Sequence, residues 1–392
     1  MKFEFSTAGL IIFGRGEFAR CGALAASFGR KAMVIVGGDY LHRTPIIEQL
    51  ASSLDAHKVS RAYATINREP DVAAVDEAVE EARIGNCDLV IGIGGGSAID
   101  TAKAVAALLT NGGKALDYME VVGANQPIAR PAAPLIAIPT TAGTGAEVTR
   151  NAVIAYPERA FKASMRSPHL MPRVALVDPA LTHTMPPALT ASTGLDALTQ
   201  VIEPYTSNRA NPLTDGMALT GIKLIARALR RAYTNGEDAA ARDDMALAAL
   251  LGGICLANAG LGAVHGCAAP LGASFPVPHG VVCAALLPHV MAANVAALRA
   301  LSSDHPTLAR YADVGEALIG RRLSTADATI EAGIQFVTEL VRDLGIPHLS
   351  EFGMTEAAIP DLVARAQKAS SMRYNPVPLS DEALANVLRA AL

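Results

Sequence analysis

Short apolar runs alternate with segments of helical period through the first half of the chain. Lys31 to Val36 (KAMVIV) is a continuous, partly β-branched run closed by Gly37-Gly38, the pattern of a strand buried on both faces. A second run follows near Val59 to Ile66. Pro70-Asp71 then opens a helix whose Val72, Val75, Val79 and Ala82 share one face while Glu77, Glu80 and Glu81 face water, and Asn86 ends it. Asp88 to Ile93 (DLVIGI) is the next strand and runs into Gly94-Gly95-Gly96-Ser97 and a helix from Ala98 to about Leu109. Leu135 to Ile138 makes a further strand, ending in the turn Pro139-Thr140-Thr141-Ala142-Gly143-Thr144-Gly145. Repeated βα units of this spacing predict a largely parallel sheet with right-handed crossovers.

Beyond Asp178-Pro179 and the break at Met185-Pro186-Pro187 the strands stop and long Ala/Leu helical patterns take over, as in Asn211 to Ala232 and Asp238 to Cys255. The reading is an α/β dinucleotide-binding domain with a parallel sheet over residues 1–185, followed by an all-helical metal and substrate domain over 186–392. One stretch, Met245 to His265, carries no formal charge over a membrane-spanning length. Its five glycine and asparagine positions, Gly252, Gly253, Asn258, Gly260 and Gly262, favour a buried core helix over a span.

Composition narrows the function. Only 18% of the 392 residues are charged and 51% are hydrophobic, so the whole chain is expected to fold. With 33 basic against 37 acidic residues and no basic cluster, nucleic acid is not an expected partner, and neither is a membrane. Cys21, Cys87, Cys255, Cys267 and Cys283 are scattered without a CxxC pair, as reduced thiols of a cytoplasmic protein would be. The N-terminal residues lack the order of a secretory signal.

Two groups of residues carry candidate chemistry. Gly94, Gly95, Gly96 and Ser97, between a buried strand and a helix, allow a ligand to approach bare backbone and place the positive end of the helix dipole beside it, a cradle for a pyrophosphate. The alternative is a plain capping box between Ser97 and Asp100. The Gly/Thr turn at 140–145 offers hydroxyls at a neighbouring strand end. A carboxylate at the end of the first strand would meet a ribose 2′-OH and favour NAD; here Gly37-Gly38 displaces Asp39 from that place, so NAD is favoured with NADP left open. In the second group, Asp196 and Gln200 lie one turn apart in a helical segment, Ala188 to Glu203, and His265 and His279 follow. One carboxylate and two imidazoles suffice to hold Zn²⁺ or Fe²⁺ with an open position, while two buried, backbone-bonded histidines are the structural alternative. Cys267 and Cys283 read as small core hydrophobes.

Taken together, GGGSAIDTAK at 94–103, PTTAGTGAEVT at 139–149, DPALTHTMPP at 178–187, GLDALTQVIEPY at 194–205 and GAVHGCAAPLGASFPVPHG at 262–280 resemble the iron-containing alcohol dehydrogenase family, within the wider group of glycerol dehydrogenases and dehydroquinate synthases. The resemblance implies a dinucleotide domain, a helical domain, and metal and substrate in the cleft between them. By position it assigns Gly94, Gly95, Gly96, Ser97 and Asp100 to the cofactor's pyrophosphate and ribose. Thr140, Thr141, Thr144, Thr149, Lys162 and Leu181 line the rest, with Asp39 and Gly16 as weaker members. It assigns the metal to Asp196, Gln200, His265 and His279, where the family usually has His at the second position. The family's frequent later histidine is Ala269 here, which removes a side-chain proton relay. A homodimer is implied, with a strand near Phe3 to Phe5 pairing across the interface.

The expected activity is an NAD(P)-dependent, metal-dependent alcohol dehydrogenase or aldehyde reductase acting on a small alcohol or carbonyl. Asp196, His265 and His279 act through the metal, and Asn151, Phe161 and the surroundings of Phe275 form pocket walls. The alternatives are a metal-independent reductase of the maleylacetate reductase type, which Gln200 favours, and a catalytically lapsed cofactor-binding homologue. A lyase like dehydroquinate synthase would need basic side chains that the segment from Asp196 to His279 does not supply.

Overall fold

The computed structural model describes residues 2–67, 69–159 and 161–392. The chain forms two compact units, one of residues 6–141 and 145–183, the other of residues 2–5, 142–144 and 184–392.

The first unit is α/β. Its strands are β1 (Leu10–Phe13), β2 (Lys31–Val36), β3 (Ser60–Thr65), β4 (Leu89–Gly94), β5 (Leu135–Pro139), β6 (Asn151–Tyr156), β7 (Phe161–Arg166) and β8 (Val174–Val177). In the order β1, β8, β5, β4, β2, β3 six of them hydrogen-bond into one parallel sheet. Val34, Ile91, Ile136 and Val174 lie in one row across four strands and enter one core layer. Met33, Val90 and Leu135, one residue earlier, enter the layer on the opposite face. A strand covered on both faces needs apolar residues at successive positions, which is why the central strands read as continuous runs.

The helices of this unit are α1 (Cys21–Phe28), α2 (Pro45–Ala56), α3 (Val72–Ile84), α4 (Gly96–Asn111) and α5 (Ala115–Tyr118). The Asp71 carboxylate caps α3 by accepting from the Ala74 N–H at 2.8 Å, and Val75, Val79 and Ala82 are buried as their spacing predicts. The capping box at α4 does not form. Gly95 is the N-cap, with no side-chain cap, and the Asp100 carboxylate is engaged elsewhere. The antiparallel pair β6–β7 is absent from the sequence reading, as are the four-residue strands β1 and β8. Strands that short, or as rich in alanine and polar residues as these two, give periodicity too little to work on.

The second unit is helical: α6 (Pro187–Thr206), α7 (Pro212–Thr234), α8 (Ala239–Ala259), α9 (Ala263–Ser274), α10 (His279–Leu301), α11 (Pro306–Ile319), α12 (Ala326–Asp343), α13 (Ile359–Ala366) and α14 (Asp381–Ala390). The uncharged stretch Met245 to His265 is not one rod. Gly260, at φ +77°, breaks it, and α8 and α9 meet at a bend of 100°. The helix α10 is long and apolar enough to cross a membrane by composition, and 72% of its most apolar window is buried inside the fold. Residues 3–5 form no strand within this chain. The five cysteines are unpaired.

At the centre of the sheet two glycine turns touch backbone to backbone. A Cβ on Gly94, which sits at φ +150°, would lie 2.7 Å from the Gly37 Cα and 2.8 Å from the Ala98 Cβ. Gly94→Ala is therefore expected to lower the urea midpoint by an amount equivalent to about 2 kcal/mol, through overpacking and a strained φ together. An unchanged midpoint would show that the two turns part freely.

Candidate functional site

In the α/β unit the sequence-predicted cofactor residues gather at the C-terminal ends of the strands. The chain passes from β2 outward to β3 and then back across to β4, so β2 and β4 flank the point where strand order reverses, the usual place for a nucleotide in such sheets. Gly37, Gly38 and Asp39 leave β2 there, and Gly94 to Ser97 leave β4. Gly37 donates its N–H to the Ile93 carbonyl at 2.8 Å, and the Thr140 N–H donates to the Gly94 carbonyl at 2.9 Å, which ties the three turns together. Since no side chain caps α4, its first N–H groups are left for a ligand. The Thr140 hydroxyl is buried without a hydrogen-bond partner. Bare backbone, an uncapped helix end and an orphaned hydroxyl fit the phosphates of a dinucleotide.

Asp39 is exposed and pinned. Its N–H donates to Asn67 Oδ1 at 2.8 Å, and its Oδ2 accepts from Asn67 Nδ2 at 2.9 Å. Asn67 escaped the sequence reading because only the pairing of β2 with β3 brings the two turns together. Thr141 lies beside Gly95, whose Cβ would sit 3.4 Å from its hydroxyl. Leu181 is buried in the core layer under the sheet, and Gly16 sits at φ +81° after β1. Thr144 groups with the helical unit, not with the sheet.

Other expected cofactor residues have partners within the protein. Asp100 Oδ1 accepts from the Lys103 ammonium at 3.1 Å and Oδ2 accepts from the Val153 N–H at 2.9 Å. Lys103 is wholly buried and also donates to Thr149 Oγ1 at 2.7 Å and to the Asn151 carbonyl at 2.8 Å. Burial raises the Asp100 carboxyl and lowers the Lys103 amine, while their mutual attraction opposes both shifts. Nearby Glu147 is pushed up to about 7 by burial. This network clamps β6 onto α4, so Asp100, Thr149 and Asn151 all serve it. Lys162 pairs with Glu69, and Phe161 packs on the core of its own unit.

The helical unit brings the other group together. Asp196 and Gln200 project from α6, His265 from α9 and His279 from the first position of α10. Asp196 Oδ1 stands 3.5 Å from His265 Nε2 and 3.7 Å from His279 Nε2. It is buried and carries no hydrogen bond. The Gln200 amide donates to Asp196 Oδ2 at 3.0 Å, and its own Oε1 is a second buried oxygen with no partner. Donor atoms of Asp196, His265, His279 and Cys283 all lie within 4.8 Å of one another. A carboxylate oxygen turned toward two imidazoles, with no donor of its own, fits a divalent cation. The His279 side chain is 44% exposed and forms the solvent-facing wall.

Two members were not anticipated as ligands or supports. Glu203 accepts from the Val264 N–H at 2.7 Å and lies 2.6 Å from His265 Nδ1. A carboxylate there makes Nδ1 the protonated nitrogen and leaves the Nε2 lone pair for a metal. Glu203 follows Asp196 and Gln200 at one further helical step, so the spacing on α6 held the signal. Cys283 is one turn beyond His279 on α10, and its Sγ lies 3.6 Å from His279 Nε2 and 3.8 Å from His265 Nε2. Cys267 does behave as a core hydrophobe, its thiol pushed up to about 12 by burial.

The electrostatics carry the same sign. Burial by itself would lower both histidines, but Cys283 and Asp196 outweigh it, holding His265 well above 6.5 and His279 at about 9. Burial would raise Asp196; the facing histidines and Gln200 hold it below the usual carboxylate range. Protons on the imidazoles thus occupy the place of a cation and must leave when one binds. Apparent metal affinity is expected to weaken steadily as pH falls below about 9, by up to about tenfold per pH unit for each histidine displaced, in a chelator competition series. In the metal-free protein the sign reverses: His279, raised above its unfolded value, stabilises below about 6.5, and this is lost as pH rises through about 9, with the raised His265 acting in the same direction.

Comparison with known proteins places these residues in context. The sequence profile described as iron-containing alcohol dehydrogenase matches residues 8–179, and the profile for the C-terminal part of the Fe-containing alcohol dehydrogenase family matches 190–392. The chain is similar to alcohol dehydrogenase 4 of Schizosaccharomyces pombe, 37% identical over 97% of this chain and 87% of that protein. Among solved structures it is similar to a 1,3-propanediol oxidoreductase, with a TM-score of 0.93, 32% identity and full coverage of both chains. It is also similar to the sulfoacetaldehyde reductase of Bifidobacterium kashiwanohense in complex with NAD⁺, with a TM-score of 0.86, 28% identity and coverage of 100% of this chain and 99% of that one.

Proposed function

The chain belongs to the iron-containing alcohol dehydrogenase family and is an oxidoreductase acting on an alcohol or its carbonyl, and from that premise we propose that it uses NAD and a single Fe²⁺ or Zn²⁺ held by Asp196, His265 and His279, with Gln200 beside them. One observation carries the reading: the buried Asp196 Oδ1, which accepts no hydrogen bond and faces two imidazole nitrogens.

When bound, the nicotinamide exchanges the hydride and the cation supplies Lewis acidity that lets an alcohol ionise near neutral pH. The protein's own residues prepare both. Gly94, Gly95, Gly96 and Ser97 with the free end of α4 take the pyrophosphate, Thr140 and Thr141 offer hydroxyls beside it, and Asp39 accepts from a ribose 2′-OH. Asn67 holds Asp39 in place, and that fixed carboxylate repels the 2′-phosphate of NADP, which favours NAD. Leu181 completes the cofactor surface of the α/β unit, while Asp100, Thr149 and Lys162 act through the packing behind it. Glu203 keeps the His265 Nε2 lone pair available, and Gln200 keeps Asp196 turned.

Ala269, an exposed residue on α9, offers no base one turn after His265. The hydroxyl proton therefore leaves to solvent or through the cofactor ribose. We place the enzyme in the cytoplasm, in keeping with five unpaired cysteines, and as a homodimer on the family resemblance.

The test is elemental analysis after anaerobic purification without chelator and reconstitution with Fe²⁺ or Zn²⁺. About one metal per chain is expected, with NAD-dependent oxidation of alcohols restored alongside it; no retained metal would overturn the reading. His265→Ala should lose metal and turnover together, beyond the about 10–100-fold typical of losing a supporting residue. Asp39→Ser should narrow the preference for NAD over NADP by about tenfold or more in kcat/KM, since a charge repulsion is removed.

A further inference from the structure

We propose that Cys283 is a ligand of the catalytic cation, completing a four-donor set of Asp196, His265, His279 and Cys283 and making this a zinc site in preference to an iron site. The inference rests on the reading that a metal binds here and goes beyond it in naming the fourth donor and the ion.

Geometry is the first support. The separations along four edges of this set are 3.5, 3.7, 3.6 and 3.8 Å, running from Asp196 Oδ1 and from Cys283 Sγ to each Nε2. A tetrahedral ion with Zn–N near 2.0–2.1 Å and one Zn–S near 2.3 Å sets its donors roughly 3.3–3.6 Å apart, within a few tenths of an ångström of these separations. The remaining pairs also lie within 4.8 Å. Four side chains from three helices thus stand close to the spacing of tetrahedral corners, and an alcohol would join them as a fifth donor, an expansion that zinc accepts.

Charge is the second. Asp196 and Cys283 are buried, at 2% and 0% exposure. Of the groups that would touch the ion, Asp196 supplies one negative charge and the imidazoles none; a thiolate at Cys283 supplies the second, with the Glu203 carboxylate one imidazole further out at His265 Nδ1. Gln200 supplies only a neutral amide, and its Nε2 is committed to Asp196 Oδ2. The anionic donor comes instead from α10, where Cys283 lies one turn beyond His279. Coordination breaks the S–H bond, forms a sulfur–metal bond and releases the proton to solvent, with no change of oxidation state. Thiolate softness is what selects zinc over Fe²⁺, which prefers imidazole and carboxylate.

The test uses the full-length protein stripped by chelator and titrated with Co²⁺ under anaerobic conditions. An intense near-ultraviolet thiolate-to-cobalt charge-transfer band saturating at one equivalent is expected, lost in Cys283→Ser and retained in Cys267→Ser. Zn²⁺ affinity of Cys283→Ser should fall at least about tenfold in chelator competition, while Fe²⁺ affinity falls less. Because the wild-type spectrum is decisive by itself, failure of the serine variant to fold leaves the test intact. One equivalent of Co²⁺ bound without the band would overturn Cys283 as a ligand and leave the metal reading standing. No cobalt bound at all would overturn both.

Discussion

A buried carboxylate oxygen with no hydrogen bond is the constraint around which the helical unit is built. An unpaired Asp196 Oδ1 at this depth is costly unless a cation faces it, and the surrounding helices are arranged so that imidazole nitrogens and a thiol do the facing. That requires three helices to meet closely, and glycines make the meeting possible. A Cβ on Gly280 would lie 2.6 Å from the Ser192 carbonyl of α6, one on Gly262 would lie 2.9 Å from Glu203 Oε1, and one on Gly252 would lie 3.3 Å from the Gln200 Cβ. The uncharged, glycine-rich stretch before His265 is thus explained by close packing against α6. A membrane span is not needed to account for it.

Around the ligands lies a layer that orients them. Glu203 fixes His265, Gln200 fixes Asp196, and the N–H groups that begin α9 are satisfied by Glu203 and Asn375, the latter locked in turn to Asn294. Gln200 belongs to this layer through its bond to Asp196 Oδ2, and the exposed Ala269 on α9 lies outside it.

In the α/β unit the constraint is a different one, the close approach of backbone to backbone. Glycines at 37 and 94 pack against each other where the strand order reverses, and α4 begins with no side chain over its N-terminus. Behind this surface the buried Lys103, neutralised by Asp100 and bonded to Thr149 and Asn151, ties β6 to α4. Several polar residues of the motifs are therefore bonded to one another behind the glycine turns.

Periodicity and glycine placement were enough to read the parallel βα half and the helical half, each of which depends on neighbours within a turn or a strand. The cradle at Gly94 to Ser97 was a candidate on the same ground, whereas Asp196, His265 and His279 were joined into one set only by the resemblance to a known family, since they lie on three helices. What the tertiary structure alone decided lies across larger separations. β1 and β8 are strands because they pair with each other, and Asp39 is pinned because β3 delivers Asn67 beside it. Asp100 reads as a cap or a ribose ligand until Lys103 and Val153 claim both its oxygens. Cys283 reads as a core hydrophobe until α9 and α6 bring His265 and Asp196 to its own helix. A cysteine's chemistry is set by what surrounds its sulfur, and that is a property of packing, which local sequence does not encode.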